Sequence, residues 1–495
     1  MDIRVSPLKK IKFFPNIGVL STKDFSFLNK RVPKKNIISQ WYVPGQSALW
    51  NYNLNYFDFL FYKNDYELLE VEYLISLIKD WACTIKESSH IGLAPYPTSL
   101  RIVNWIKFEN QYSVFDNDVL TNLYYQVKYL ENNIEYHVQG NHLIANAKAL
   151  IFAGEFFEGD CAKIWLNKGL KILKKEIDEQ IQNGLHYERS LMYHAIILED
   201  LIDIYLICPD SQRMVLSQIT NMGLVLNNLS HKDGSLPFFN DVVAGIAHPV
   251  AFLIDKIEKD ILKKELPKNC QKKSSGFFTH EWSGKKILVD CSCIGPNYIT
   301  GHTHNDALSF ELSDELGKIF TNRGTSTYNK GERRNLERSV SCHNTVSIDL
   351  NNHYEVWDSF RVARRAKTKI MEAKYSNSSF YCRARLIDLP KEKSNIFIER
   401  EYETSLNEIV ISDRTNKHES TLVSFFHLDV NLKVSVIDGQ AYIYRSKKMI
   451  GKLTAMRGEV SISETLHSVG YNCLKPAFTI IVTGKYKNKV RICFV

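Results

Sequence analysis

The sequence predicts an α+β multidomain chain in which a helical N-terminal half is followed by an antiparallel β-sandwich. Two observations carry that prediction. From about Asp65 to Glu265 apolar residues recur at three and four positions, the spacing that gives a helix one buried face. Beyond a charged stretch the segments become short, rich in β-branched residues and separated by Asn, Asp, Gly and Ser. At 495 residues the chain exceeds what one hydrophobic core usually serves, so two or three domains are expected.

In chain order, residues 1–45 mix Lys, Pro and Phe irregularly and read as an N-terminal arm. WYVPGQSALWNYNLNYFDFL, from Trp41, then crowds Trp and Tyr among asparagines at the entrance to a helical domain over 46–268. Within it ELLEVEYLISLIKDWA, NHLIANAKALIFAGEFF and ERSLMYHAIILEDLIDIYL keep helical spacing, and their short connections predict an array of helical hairpins rather than one coiled coil. The charged KKELPKNCQKKSSG, 263–276, is the expected linker. The β domain, 269–495, is read from KKILVDCSCI, NTVSIDL, SFYCRARLIDL, EIVISD, TLVSFFHLDV and FTIIVTG.

Composition narrows the classes of function. Lys and Arg outnumber Asp and Glu by 63 to 55, a net +8 that mildly favours anionic partners. Aromatics at 12% exceed what a core alone needs, and aromatic-rich clefts often bind sugars. No apolar run is long enough to span a bilayer, and the first residues lack a signal-peptide core. A soluble, cytoplasmic protein is therefore expected, periplasmic if residues precede this N-terminus. Ten cysteines are too dilute for a disulfide scaffold, and CSC, Cys291 and Cys293, lacks a second metal-type pair, so reduced thiols are expected.

The densest chemistry is GHTHNDAL, 301–308, directly after the buried-strand run Lys285 to Cys293. An isolated HxH is most simply a polar turn. On a strand, however, His302 and His304 point to one face, an arrangement two imidazoles adopt when sharing a metal or when one faces substrate. His343, in SVSCHNTVSID, stands just before a strand as a further ligand or as a capped loop residue. A second cluster lies in the helical half, where Asn141 and His142 follow a glycine at a helix start; Asn141 alone reads equally as an N-cap. HYERSLMYHAIILED then places Glu188, Arg189, Tyr193 and His194 on the opening turns of another helix, Tyr193 and His194 about 100° apart.

Taken together, PYPTSLRIVNWI, GNHLIANAKALIFAG, ERSLMYHAIILEDL, GHTHNDALSFEL, GTSTYN and HNTVSID, in that order, resemble the heparinase II/III-like polysaccharide lyase family over most of the chain. The resemblance implies an N-terminal α/α toroid, possibly incomplete, followed by the β-sandwich. It also implies that Asn141 and His142 neutralise a uronate carboxylate, that Tyr193 acts as base or acid, and that His302 completes the site. His304 and His343 fall on its metal-ligand positions. Its third ligand is usually an aspartate, where FTNRGTSTY offers Asn322, so a structural zinc would meet a neutral amide there unless Asp306 compensates.

The implied reaction is β-elimination on an acidic polysaccharide containing uronic acid: loss of the C5 proton and departure of the C4 oxygen. The difficult species is the carbanion beside an already anionic carboxyl, which demands hydrogen-bond donors around that carboxyl and a tuned proton-transfer pair. Arg101 and Arg361 are candidate carboxylate contacts, Glu188 a further substrate contact, and Trp50 and Tyr52 candidate platforms for sugar rings. A uronosyl C5-epimerase and a non-catalytic glycan-binding protein use the same cleft and remain alternatives; nucleic acid is not an expected partner.

Overall fold

The computed structural model describes residues 5–6, 8, 21, 23–37, 40–62, 71–85, 89–267, 273–376 and 378–495. A hairpin of β1 (Asp24–Phe27) and β2 (Lys30–Pro33) precedes helices α1 (Ala48–Tyr56), α2 (Val71–Thr84), α3 (Pro95–Tyr112), α4 (Asn117–Asn132), α5 (Asn141–Phe156) and α6 (Asp160–Gln180). A short ribbon, β3 (Ile181–Gln182) with β4 (Leu185–His186), leads into α7 (Leu191–Ile207), α8 (Gln212–Leu229) and α9 (Val250–Lys256).

Helix α5 is the centre of this half, packing against α3, α6 and α7. From Asn141 to Ala153 every residue except His142 is buried, as expected of a helix apolar on all sides. Its one interior charge, Lys148, is paired with Asp200 (2.8 Å) and Asp203 (2.6 Å) of α7, and Asp203 also takes Lys107 of α3 at 2.6 Å. That buried network ties α5 to α7, the helices whose first turns carry Asn141, His142 and Tyr193.

Residues 1–45 are not a free arm where they are described. Phe25, Phe27, Val32, Ile37 and Trp41 are buried in the same core as the helices, because the hairpin supplies aromatic surface against Phe57 and Phe59. Trp50 and Arg101 likewise leave the list of sugar contacts. Trp50 is fully buried edge-on to Phe27 and donates to the Lys30 carbonyl at 3.1 Å. Arg101 is fully buried over Trp81 and donates to Gln126 Oε1 (2.7 Å), the Gly92 carbonyl (2.7 Å), the Asn55 carbonyl (3.0 Å) and Thr98 Oγ1 (3.2 Å). Its work is to join α1, α3 and α4. Arg101→Met removes the donor to the Asn55 carbonyl and to Gln126 Oε1, at roughly 1–3 kcal/mol each; thermal unfolding followed by circular dichroism should show a marked fall in midpoint.

The β half begins with the sheet β5 (Lys273–Ser274), β6 (Phe277–Trp282), β7 (Lys285–Asp290), β8 (Ser309–Asp314) and β9 (Gly317–Phe320), paired in that order. After α10 (Glu332–Glu337) come β10 (Val346–Ile348), the ribbon β11 (Tyr354–Trp357) and β12 (Arg361–Arg365), then β13 (Lys367–Tyr375), β14 (Phe380–Ile387), β15 (Ile398–Ser405), β16 (Glu408–Thr415) and β17 (Thr421–His427). The chain ends with β18 (Leu432–Ile437), β19 (Gln440–Arg445), β20 (Lys448–Arg457), β21 (Glu459–Gly470), β22 (Cys473–Lys485) and β23 (Lys487–Phe494). They form a four-stranded antiparallel sheet, β10-β17-β22-β21, and an eight-stranded one, β13-β14-β15-β16-β23-β20-β19-β18. Phe380, Cys382, Ala384 and Leu386 alternate inward on β14 and share one apolar cluster with Leu422, Phe426, Ile480 and Val482 from the four-stranded sheet. The 268/269 boundary and residues 268–272 of the expected linker lie outside the described residues, and the linker's Lys273 and Ser274 already pair into the first sheet.

Two interior side chains hold the loop between β7 and β8. Arg400 pairs bidentately with Asp413 (2.6 and 2.8 Å) and donates to the carbonyls of Leu308 and Asn344, while Tyr402 Oη donates to Leu308 O at 2.7 Å. The sheet thus clamps the segments carrying His302, His304 and His343 from beneath. No helix among the described residues is long and apolar enough to cross a membrane.

Candidate functional site

GHTHNDAL is a loop, not a strand: β7 ends at Asp290 and β8 starts at Ser309, so Cys291 and Cys293 also fall beyond the strand. His302 and His304 nevertheless converge, because both are held by one carboxylate that the sequence reading did not single out. Asp241 Oδ2 lies 2.9 Å from His302 Nδ1, and Asp241 Oδ1 lies 2.7 Å from His304 Nε2. Arg334 of α10 closes on the same carboxylate with Nη1 at 2.5 Å and Nη2 at 2.6 Å, and Thr325 Oγ1 donates to it at 3.1 Å. Asp306 does not orient the histidines directly. Its carboxylate accepts the Asn240 amide and so fixes the segment that presents Asp241.

Asp241 is fully buried, which alone would raise its pKa, but Arg334, His304 and His302 hold it well below the usual carboxylate range. An ionised carboxylate only accepts, so each imidazole donates toward it. In the neutral ring this puts the His302 proton on Nδ1 and the lone pair on Nε2, and the His304 proton on Nε2.

Tyr193 stands on the first turn of α7, where Ser190 Oγ accepts its amide. Its ring lies 4.2 Å, centroid to centroid, from that of His302, and its hydroxyl donates to Tyr328 Oη at 3.3 Å. Burial pushes the phenol well above its usual pKa, with Tyr328 and Asp241 adding to the shift. His194, the next residue, turns into the core between the His186 amide and the Met222 carbonyl.

The helix N-cap at α5 is Gly140 rather than Asn141, which frees the Asn141 amide from capping. Asn141 Nδ2 instead donates to Tyr96 Oη at 3.4 Å, and His142 lies against the Tyr96 ring at 4.4 Å with Nδ1 3.1 Å from Glu135 Oε1. Gly140 has φ +60°, and a Cβ there would come within 3.1 Å of Glu188 Oε1. Glu188 Oε2 in turn lies 3.5 Å from His302 Nε2. Burial raises this carboxyl, while His302 and His142 both pull it back, which places it between the helical and the β groups. Tyr52 is half-buried, with Glu135 acting on its phenol. Arg361 is exposed, next to Phe360, whose ring meets His302 edge-on at 5.6 Å.

His304 and His343 lie side by side, ring centroids 5.3 Å apart, and His304 Nδ1 and both His343 nitrogens are buried without partners. Two neutral imidazoles therefore offer lone pairs. Asn322 does not supply the charged third ligand: its Oδ1 accepts the Asn344 amide at 2.7 Å and its Nδ2 donates to the Phe238 carbonyl at 3.1 Å. The guanidinium of Arg334, 3.4 Å from His304 Nε2, adds a permanent cation beside the set. No group of three His, Cys, Asp or Glu among the described residues is arranged to hold a metal, and this donor set does not fit a tight zinc site.

Burial lowers His304, His194 and His353 to about 4. Because the unfolded chain takes up these protons first, near the ordinary histidine value, stability is full above about pH 6.5 and falls progressively toward pH 4. Thermal midpoints recorded from pH 7.5 to 4.5 should decline over that interval, steepest below pH 6.

Two family models match the chain: Heparinase II/III N-terminus over residues 99–250 and Heparinase II/III-like, C-terminal over residues 271–493. A heparin-sulfate lyase of Bacteroides stercoris is 27% identical over 246 residues, 44% of this chain and 37% of the relative. One from Bacteroides thetaiotaomicron is 38% identical over 264 residues, 44% of this chain and 38% of the relative. The matched part thus spans little more than a third of either relative's length. Among solved structures, a heparinase III superposes with a TM-score of 0.69 at 15% identity, covering 92% of this chain and 79% of its own. A mutant of the heparan sulfate lyase HepC from Pedobacter heparinus gives 0.64 at 17%, covering 92% and 78%. On these matches, together with the ordered motifs and the helix-then-sheet fold, the chain belongs to the heparinase II/III-like family.

Proposed function

We propose that this protein is a polysaccharide lyase that cleaves a uronic-acid-containing, glycosaminoglycan-type polymer by β-elimination. Its cleft lies between the helices, read as an incomplete α/α toroid, and the sheets, read as an antiparallel sandwich. The observation that carries the reading is the contact between Tyr193 and His302, whose Nδ1 is held by Asp241 at 2.9 Å.

In this reading the uronate carboxyl is received by the Asn141 amide and by His142, so that charge spreading from C5 meets donors already in place. His302 Nε2 takes the C5 proton, and the resulting imidazolium is stabilised by Asp241 at 2.9 Å and by Glu188 at 3.5 Å. Tyr193, a phenol at neutral pH because burial opposes its ionisation, gives its proton to the departing C4 oxygen. Tyr328 lies within hydrogen-bond reach to support the phenolate that remains. The two groups stand together on one side of the cleft, which suits departure of proton and oxygen from one face of the ring. Phe360, edge-on to His302, and the half-buried Tyr52 and exposed Arg361 are assigned to flanking sugars in this reading. His304, Asn322 and His343 serve the framework, and no step passes through a metal.

The reading is tested by mass analysis of products formed in heavy water. Elimination gives shorter chains whose new non-reducing ends lack the elements of water relative to hydrolysis. A C5-epimerase would instead place deuterium at C5 with chain length unchanged, and either hydrolysis or epimerisation would overturn the proposal.

A further inference from the structure

The four-stranded sheet has a second face. Leu422, Phe426, Ile480 and Val482 enter the shared core, whereas the pairings Phe425 with Ile481, His427 with Thr479, and Thr479 with Ser463 put the intervening residues on the opposite side. On that side lies a groove of ≈ 690 Å³ with Val423, Phe425 and Ile481 as apolar floor and Ser341, Ser463 and Thr483 as hydroxyl walls. The volume falls within the roughly 300–1,000 Å³ of small-molecule sites.

Arg323 lines this groove, and its guanidinium is poorly served. Nε is 3.4 Å from His427 Nδ1, Nη2 is 3.5 Å from Thr479 Oγ1 and Nη1 is 3.6 Å from Cys342 Sγ. Among the described residues it has no carboxylate partner. The other charge in the groove, Asp349, is engaged away from Arg323: it accepts the Thr421 amide and pairs at 3.1 Å with Lys417, which it shares with Glu392 at 2.8 Å. Beyond Arg323 the same face carries His427 and His467, ring centroids 5.7 Å apart; His427 Nε2 and both His467 nitrogens are buried without partners. Burial lowers both imidazoles, His467 to about 3, so they are neutral hydrogen-bonding groups rather than competing cations. The segment 322–325 separates this groove from the proposed catalytic cleft: Thr325 bonds Asp241, while Arg323 lies over the sheet.

We propose that this groove is a second saccharide-binding site, taking one acidic sugar unit with its carboxylate or sulfate on Arg323 and its C–H face on Phe425 and Ile481. A lone guanidinium asks for one anion, the hydroxyl walls for a polyhydroxylated ligand, and the apolar floor for a ring face. Such a site would hold a polymer on the enzyme between cleavage events.

The test is calorimetric titration of the full chain carrying Tyr193→Phe, so that turnover during the titration is strongly slowed, with a heparin-derived tetrasaccharide. Two tetrasaccharides should bind per chain. Adding Arg323→Gln, or the groove-filling Ser463→Trp at a partly exposed position, should weaken one of the two at least tenfold and leave the other. If the catalytic cleft takes no tetrasaccharide, one site is seen, and its loss in both groove variants upholds the groove while sinking the proposed function. Unchanged binding in both variants, or no binding at all, overturns the second site. Equal affinity for maltotetraose overturns its acidic specificity, and competition by inorganic sulfate at the tetrasaccharide's own concentration reduces it to a simple anion site.

Discussion

Replacing Tyr193 with Phe should lower kcat by roughly 10²–10⁴-fold, the range of a lost general acid, with KM little changed. The substitution removes one hydroxyl, which donates to Tyr328 Oη at 3.3 Å. The ring, and with it the 4.2 Å contact to His302, remains. Because the phenol is held protonated by burial, its loss removes a donor that is present in nearly every molecule at neutral pH. Initial rates on a uronic polymer, beside an unaltered circular dichroism spectrum, check the result. An unchanged kcat would assign the proton on the leaving oxygen to another group.

The second large effect is expected at Asp241. Asp241→Asn leaves Arg334 buried without its counter-ion, which costs about 3–5 kcal/mol when a buried pair is broken. Chemical denaturation would show this as a lower midpoint. The chemical consequence is separate from the structural one. An amide can turn an N–H toward His302 Nδ1, which moves the imidazole proton to Nε2 and removes the lone pair that the proposed mechanism assigns to the C5 proton. We expect kcat to fall about 10²-fold or more even under conditions where the variant is fully folded. Arg334→Lys keeps a cation but not the bidentate fork, and should retain more activity than Asp241→Asn. If Asp241→Asn were merely unstable, its kcat per folded molecule would match the parent.

The helices could be read from three-and-four spacing because α5 and α7 bury nearly all their surface, and the strands from β-branched alternation such as that of β14. Tyr193, His302, Asn141 and His142 could be found because they sit inside ordered motifs. Asp241 could not: it lies 61 residues before His302, in SLPFFNDVVAG, which has no periodic signal, and its importance arises only when α10 and the GHTHNDAL loop fold onto it. Arg334 was hidden for the same reason. Tyr328 lies within GTSTYN and Phe360 beside Arg361, both singled out from the sequence, but nothing in a linear sequence says that an aromatic ring meets an imidazole. Aromatic content misled in the other direction. Trp50 is packing, as Arg101 is, because a composition rich in Trp and Tyr does not say which rings face a cleft, and a buried arginine looks like a surface one until its carbonyl partners are known. Asn322 was recognised as a departure from sequence alone, and the structure adds that its amide is already engaged on both sides.

The most direct measurement is the ultraviolet absorbance of the unsaturated uronate, followed while the purified protein acts on heparan sulfate and, in parallel, on hyaluronan and chondroitin sulfate. The conjugated C4–C5 double bond forms only if the C5 proton and the C4 oxygen are both lost. A steady rise on at least one polymer, proportional to protein and suppressed in Tyr193→Phe, is the result this account predicts. Chain shortening without that absorbance, or a rise that persists undiminished in Tyr193→Phe, would contradict it.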